Sequence, residues 1–205
     1  MLFWNKKSDI EKIKNSLKQD QILLATSDTV LGLFGALTKK SYLALNAIKQ
    51  RHDRPYLIMI HSTKLLPFFI NQPINEKLQE IINLCWPGPV TLVFKAQPKL
   101  PDFLKNHDQT IALRIPYHEG LLTLLSSFNG LFSTSANIHH QSIPSTLADV
   151  DHEILKKVAN VCTDQPFKEK NIGPSTILDC SSPQIKIIRQ GYPLNQKIMD
   201  LIKNY

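Results

Sequence analysis

An apolar run at residues 21–25 leads straight into Thr26-Ser27-Asp28-Thr29-Val30-Leu31-Gly32-Leu33, and this stretch constrains the chain more than any other. The run reads as a strand, hydroxyls gather at its end, and Gly32 lets the backbone turn tightly. Residues 41–49 then read as a helix burying Leu43, Ala44, Ala47 and Ile48, and it ends in Lys49-Gln50-Arg51. Two cations two residues apart diverge on a continuous helix. They converge only where the helix stops, near His52 and Asp53. Hydroxyls at a strand end facing a Lys-x-Arg pair make a pocket for something small and anionic. Taken alone, the pair is better read as two solvated cations favoured by the helix dipole. Beside Ser135-Ala136-Asn137 the pocket reading prevails.

The remaining chain interleaves short apolar strands with amphipathic helices. Residues 8–19 are expected to be helical, with Ser8 and Glu11 forming a capping box and Ile10, Ile13 and Leu17 at helical spacing. Strands are expected at 57–60, 90–95, 110–115, 131–134, 175–179 and 184–189, with Val161 a short one. Helices are expected at 64–69, 75–84, 121–128, 147–158 and 194–202, with Asn75 capping the second. Trp86-Pro87-Gly88-Pro89 breaks any helix, since proline lacks the amide donor and glycine permits the bend. Strands and helices do not alternate strictly, which points to an α/β fold built on an open mixed sheet with helices packed on it.

At 205 residues the chain suits one domain over 1–205, able to bury roughly two-thirds of its unfolded surface. The 24 basic and 17 acidic residues give a net charge of +7, which favours anionic partners such as nucleotide phosphates or RNA, or simply clothes the surface in solvated lysines. Cys85, Cys162 and Cys180 are odd in number and far apart, which argues against structural zinc and a disulfide framework. Met1 to Lys7 does not read as a signal peptide and no long apolar run occurs, so a cytoplasmic protein with no membrane partner is expected. The sequence has no Walker A loop, no G-x-G-x-x-G and no G-x-S-x-G. A nucleotide must therefore be held by something other than a glycine cradle.

Five ordered motifs resemble the YrdC-like threonylcarbamoyl-AMP synthases: Ser27-Asp28-Thr29 with Gly32-Leu33, Lys49-x-Arg51, Trp86-Pro-Gly-Pro-Val-Thr91, Ile111-Ala-Leu-Arg114-Ile-Pro116 and Ser135-x-Asn137. The likeness runs from about residue 8 to 191. It implies a twisted sheet around one large, basic, concave cavity, without the extra C-terminal domain of longer relatives. It also implies a nucleotidyltransferase that joins L-threonine, bicarbonate and ATP into threonylcarbamoyl-AMP, releasing pyrophosphate. The activated group would pass to tRNA through a separate threonylcarbamoyl transferase complex, with contact to tRNA or double-stranded RNA, and Mg²⁺ would arrive with ATP.

On this likeness Lys49 and Arg51 are the catalytic cations, and ATP is held by them with Arg54, Thr110, Ser135, Asn137 and Arg189. Threonine is held by Ser27, His61, Arg114, Ser133 and Ser175, and Asn137 is the protein group that could touch the metal. From the residues themselves, Arg114 in an apolar strand needs an anionic partner. The resemblance makes that the threonine carboxylate, and a structural Asp or Glu is the alternative. Thr110, four residues earlier, points to the same face of the strand. The chain departs from the family pattern at Leu31, which replaces an aromatic, at Pro55, which replaces a second lysine, and at His139-His140, which replace Ser-Gly. A non-catalytic RNA-binding module of the same fold is the alternative function.

Overall fold

A computed structural model describes residues 1–51, 55–164 and 173–203. Ten strands among these residues make one mixed sheet: β1 (Leu2–Phe3), β2 (Leu23–Ala25), β3 (Gly32–Ala36), β4 (Leu57–Met59), β5 (Val90–Lys95), β6 (Thr110–Arg114), β7 (Leu131–Ser135), β8 (Asn160–Thr163), β9 (Thr176–Asp179) and β10 (Lys186–Arg189). Their order is β1-β8-β2-β3-β7-β4-β6-β5-β9-β10. The pairs β1/β8, β2/β8, β4/β6 and β5/β9 run parallel, and the other pairs are antiparallel. Among the described residues seven α-helices accompany it: α1 (Lys7–Lys18), α2 (Lys39–Lys49), α3 (Leu66–Phe69), α4 (Glu76–Cys85), α5 (Glu119–Leu125), α6 (His152–Leu155) and α7 (Gln196–Lys203).

Alternation along the strands divides the sheet into two faces. Leu24, Leu33, Ile58, Leu92, Phe94, Leu113 and Phe132 belong to one buried cluster with Tyr42, Leu45 and Ile48 of α2, Leu78, Ile81 and Ile82 of α4 and Ile198 of α7. Leu23, Phe34, Met59 and Leu131 belong to a second cluster with Trp4, which follows β1, Ile13 and Leu17 of α1, and Leu121, Leu124 and Leu125 of α5. On this second side, further along the sheet, Arg114, Ala112, Thr91, Val93 and Ser133 take the positions that apolar residues hold nearer β2. The register shows it directly, since Met59 pairs with Arg114 and Leu57 with Ser133. That stretch is the floor of a cavity.

Several local expectations are corrected. Gly32 does not make a tight turn: it opens β3, which no strand pattern announced because Gly-Leu-Phe-Gly-Ala lacks β-branched residues. A Cβ there would stand 2.9 Å from the Phe34 ring, so the glycine serves close packing. The capping box at Ser8 does not form. Helix α1 starts at Lys7, and the Asp9 carboxylate instead accepts the Phe3 N–H at 3.1 Å. Leu43 and Ala47 face outward, while Tyr42 and Leu45 are buried. The segment 147–158 is broken into a 3₁₀ turn (Leu147–Asp149) and α6, because Thr146 and Asp149 close their own cap and Asp151 starts another. The two-residue strand β1 carries too little pattern to be seen in the sequence, and it is held by pairing with β8.

Candidate active site

The cavity has a volume of about 410 Å³, the size of a small-molecule pocket. It has two cationic poles. At the first, α2 ends at Lys49 because Gln50 takes the left-handed conformation (φ 49°, ψ 46°). The Arg51 N–H then returns to Asn46 O at 3.1 Å. The helix therefore stops between the two cations and both reach one cavity, as the spacing required. The Lys49 side chain is buried, with Nζ donating to Ser135 O at 2.8 Å and to Asn137 Oδ1 at 2.9 Å. Ser135 Oγ donates to the same Asn137 oxygen at 2.6 Å. Arg51 lies 4.7 Å over the Tyr56 ring and donates from Nη2 to Pro55 O at 2.8 Å. Burial, and then the charge of Arg51, push the Lys49 amine down to about 8. Its charge is costly where it is buried beside another cation and would be favoured beside an anion.

The second pole lies at the other end of β6. Arg114 is 2% exposed. Its Nε donates to Gly88 O at 2.9 Å, its Nη1 to Thr29 Oγ1 at 3.0 Å and its Nη2 to Asp28 Oδ1. The other Asp28 oxygen accepts the Tyr117 N–H at 2.7 Å. Burial lowers the Arg114 pKa and Asp28 opposes the shift. Gly88 shows what the Trp-Pro-Gly-Pro turn supplies, a carbonyl aimed at the guanidinium. Nearby, Thr91 and Ser175 hydroxyls are 2.9 Å apart. Arg189 donates to Ser175 O from Nε at 3.1 Å and from Nη2 at 2.8 Å. Burial, then the charge of Arg114, lower the Arg189 pKa, so the two arginines sense each other.

Ser27, Lys49, Arg51, Arg114, Ser133, Ser135, Asn137, Ser175 and Arg189 all line this one cavity. Two expected site residues, His61 and Thr110, do not join them, and a third falls where the structure makes no statement. Arg54 lies outside the described residues. His61 is exposed and lines a separate depression with Lys64 and Phe128, beyond the end of β4. Thr110 is buried but is not a lining residue; its hydroxyl is held by Asp108, and Asn106 occupies the lining position beside it. Arg114 has the alternative partner in place, a structural carboxylate, Asp28. Arg189, expected with ATP, stands with Arg114 and not with Lys49. Leu31 belongs to the core, and its carbonyl accepts the Ala136 N–H at 2.9 Å. Thr91, read only as the end of the Trp-Pro-Gly-Pro motif, and Asn106 were not expected to line the site; β-strand parity with Val93 marks the first, and nothing local marks the second.

A mixed sheet that leaves part of one face open lines it here with buried cations and hydroxyls, groups chemically suited to a small polyanion. The chain belongs to the Sua5/YciO/YrdC family, whose model, described as "Telomere recombination", matches residues 15–191. A putative threonylcarbamoyl-AMP synthase of Methanocaldococcus jannaschii is 30% identical over 195 residues, covering 94% of this chain and 90% of the relative. The threonylcarbamoyl-AMP synthase of Sodalis glossinidius is 29% identical over 93% of this chain and its own full length. Among solved structures, P. abyssi Sua5 complexed with L-threonine superposes with a TM-score of 0.85 at 25% identity, covering 96% of this chain. This chain spans 58% of that protein. E. coli YciO shares the fold, with a TM-score of 0.77 at 17% identity over 91% of this chain.

Proposed function

We propose that this chain is a threonylcarbamoyl-AMP synthase. The threonine amine and bicarbonate give the carbamate N-carboxythreonine and water. A carbamate oxygen then attacks the α-phosphorus of ATP, and pyrophosphate leaves. No covalent enzyme intermediate is needed; the protein has to bring two anions together and offset their charge. One observation carries the reading: buried Lys49, with Arg51 beside it, is held by Ser135 and Asn137 at one pole of a cavity whose other pole is the Arg114–Asp28 pair with Arg189.

The first pole takes the triphosphate. There Lys49 exchanges a neutral acceptor for a phosphate oxygen and Arg51 adds a planar donor pair. At the second pole Asp28 offsets one of two guanidinium charges, which leaves positive charge for the threonine carboxylate, with Ser27, Ser133 and Ser175 as neighbouring hydroxyls. Among the described residues no group of three His, Cys, Asp or Glu could hold a metal. Mg²⁺ arriving with ATP would be held mainly by phosphates and water and would neutralise phosphate charge, with Asn137 the protein residue that could touch it. The carbamoyl adenylate would be consumed by a separate transferase acting on tRNA. No helix among the described residues is long and apolar enough to cross a membrane.

The test is to incubate the chain with ATP, Mg²⁺ and bicarbonate and each amino acid in turn, following pyrophosphate and product mass. Release that requires threonine and bicarbonate, with the matching adenylate mass, supports the reading. No release, together with salt-dependent RNA binding that ignores ATP, overturns it in favour of an RNA-binding module.

A further inference from the structure

Asn106 lines the cavity from the loop before β6, and its backbone N–H donates to Thr110 O at 2.8 Å. A short relay fixes the orientation of its side-chain amide. Thr110 Oγ1 lies 2.6 Å from Asp108 Oδ1, and a carboxylate has no proton to give, so the hydroxyl donates. Thr110 Oγ1 is then an acceptor toward Asn106, whose Nδ2 donates to it at 2.8 Å. With Nδ2 turned to Thr110, the other end of the amide, Oδ1, is an acceptor without a protein partner among the described residues. A cavity built from cations and hydroxyls gains here one group that only accepts.

The surroundings suit a flat ring. Val93 and Ala112 pair across β5 and β6, and Leu57 stands on β4, next to β6, so three apolar side chains floor the cavity beside Asn106. The first pole lies at the same end of the sheet. Strands β4 and β6 run parallel and β7 antiparallel to β4, so the starts of β4 and β6 share an end with Ser135, where β7 finishes. We infer that Asn106 Oδ1 accepts the exocyclic amine of an adenine ring lying on Leu57, Val93 and Ala112, and so selects adenine over guanine nucleotides. Guanine presents a carbonyl oxygen where adenine presents the amine. Two acceptors face to face leave both unsatisfied. This rests on the proposed use of ATP in the same cavity.

Equilibrium binding of ATP and of GTP to the full chain, without threonine, tests it. The wild type should prefer ATP by roughly tenfold or more, the scale of one hydrogen bond against an unsatisfied pair. Asn106→Leu should bring the ratio to within about threefold of unity, mainly by weakening ATP. Thr110→Val, which frees the amide to turn over, should narrow the ratio in the same direction with unchanged circular dichroism; if Asn106→Leu does not fold, this variant decides. A wild type that binds neither nucleotide or does not discriminate overturns the inference. So does a variant that keeps the wild-type ratio, or one that weakens both nucleotides equally. Failure of the synthase reading shows separately, as a wild type that prefers ATP yet releases no pyrophosphate with threonine and bicarbonate.

Discussion

Lys49 Nζ sits 2.9 Å from Asn137 Oδ1, across 88 residues of sequence. The contact joins the end of α2 to the turn after β7, and it keeps a buried amine in the cavity without a counter-charge among the described residues. Lys49 is thus poorly placed for stability and well placed for an incoming phosphate. Lys49→Met is therefore expected to abolish pyrophosphate release, by at least about a hundredfold, since an electrostatic contact to the reacting phosphates is lost. Its melting temperature should match or exceed that of the wild type, because a desolvated charge is removed. Paired activity and thermal melts check both halves.

The same amine sets a pH dependence. Its folded pKa of about 8 lies below the ordinary 10.5. Between those values the unfolded chain binds more protons, so the Lys49 contribution makes stability rise with pH across that window. Nucleotide binding runs the other way, because the phosphates need the charged amine. ATP affinity is expected to fall as pH rises through about 8, with proton uptake on binding above it. Calorimetric titrations in two buffers of different ionisation enthalpy measure the uptake, and Lys49→Met should remove it.

At the opposite pole, Asp28→Ala leaves the Arg114 guanidinium buried without its carboxylate. Breaking a buried pair from one side costs about 3–5 kcal/mol, read as a shift in urea midpoint at constant slope. Asp28→Ala combined with Arg114→Met should be less damaging than the sum of the two, because the uncompensated charge is gone. Additive losses would show that the pair does not act as a unit.

Gly191, at the close of the Arg-Gln-Gly segment, has no room for a side chain. A Cβ there would stand 2.2 Å from Pro174 O and 2.7 Å from Ser175 O, both backbone atoms. Gly191→Ala is expected to displace Ser175, weaken its contacts with Arg189 and raise the KM for threonine. A variant with wild-type KM and melting temperature would contradict this.

His61 provides a contrast. It is exposed and lines a different depression, so His61→Ala should leave the threonine KM within about twofold of wild type, as expected for surface changes.

Much was legible in the chain itself. Val90–Lys95 and Thr110–Arg114 stand out as strands because their apolar, β-favouring residues run unbroken between proline- and polar-rich loops. Lys49-x-Arg51 announced both the helix end and the cationic site, since two residues on one helix diverge and the chain had to leave the helix for both to be useful. Pairwise hydrogen bonding across long separations was not legible. Parity put Thr110 on the Arg114 face, but the Asx turn at Asp108 takes its hydroxyl and leaves Asn106 as the lining group. Likewise, the sequence established that a guanidinium in an apolar strand needs an anion. Only the register of β6 in the sheet, and the loop that brings Asp28 across 86 residues, decided that the protein supplies one itself. Local composition and periodicity determine where a strand or helix forms, because those depend on neighbours in the chain. Which buried polar atom is satisfied, and which stays available to a ligand, depends on atoms that only folding brings together.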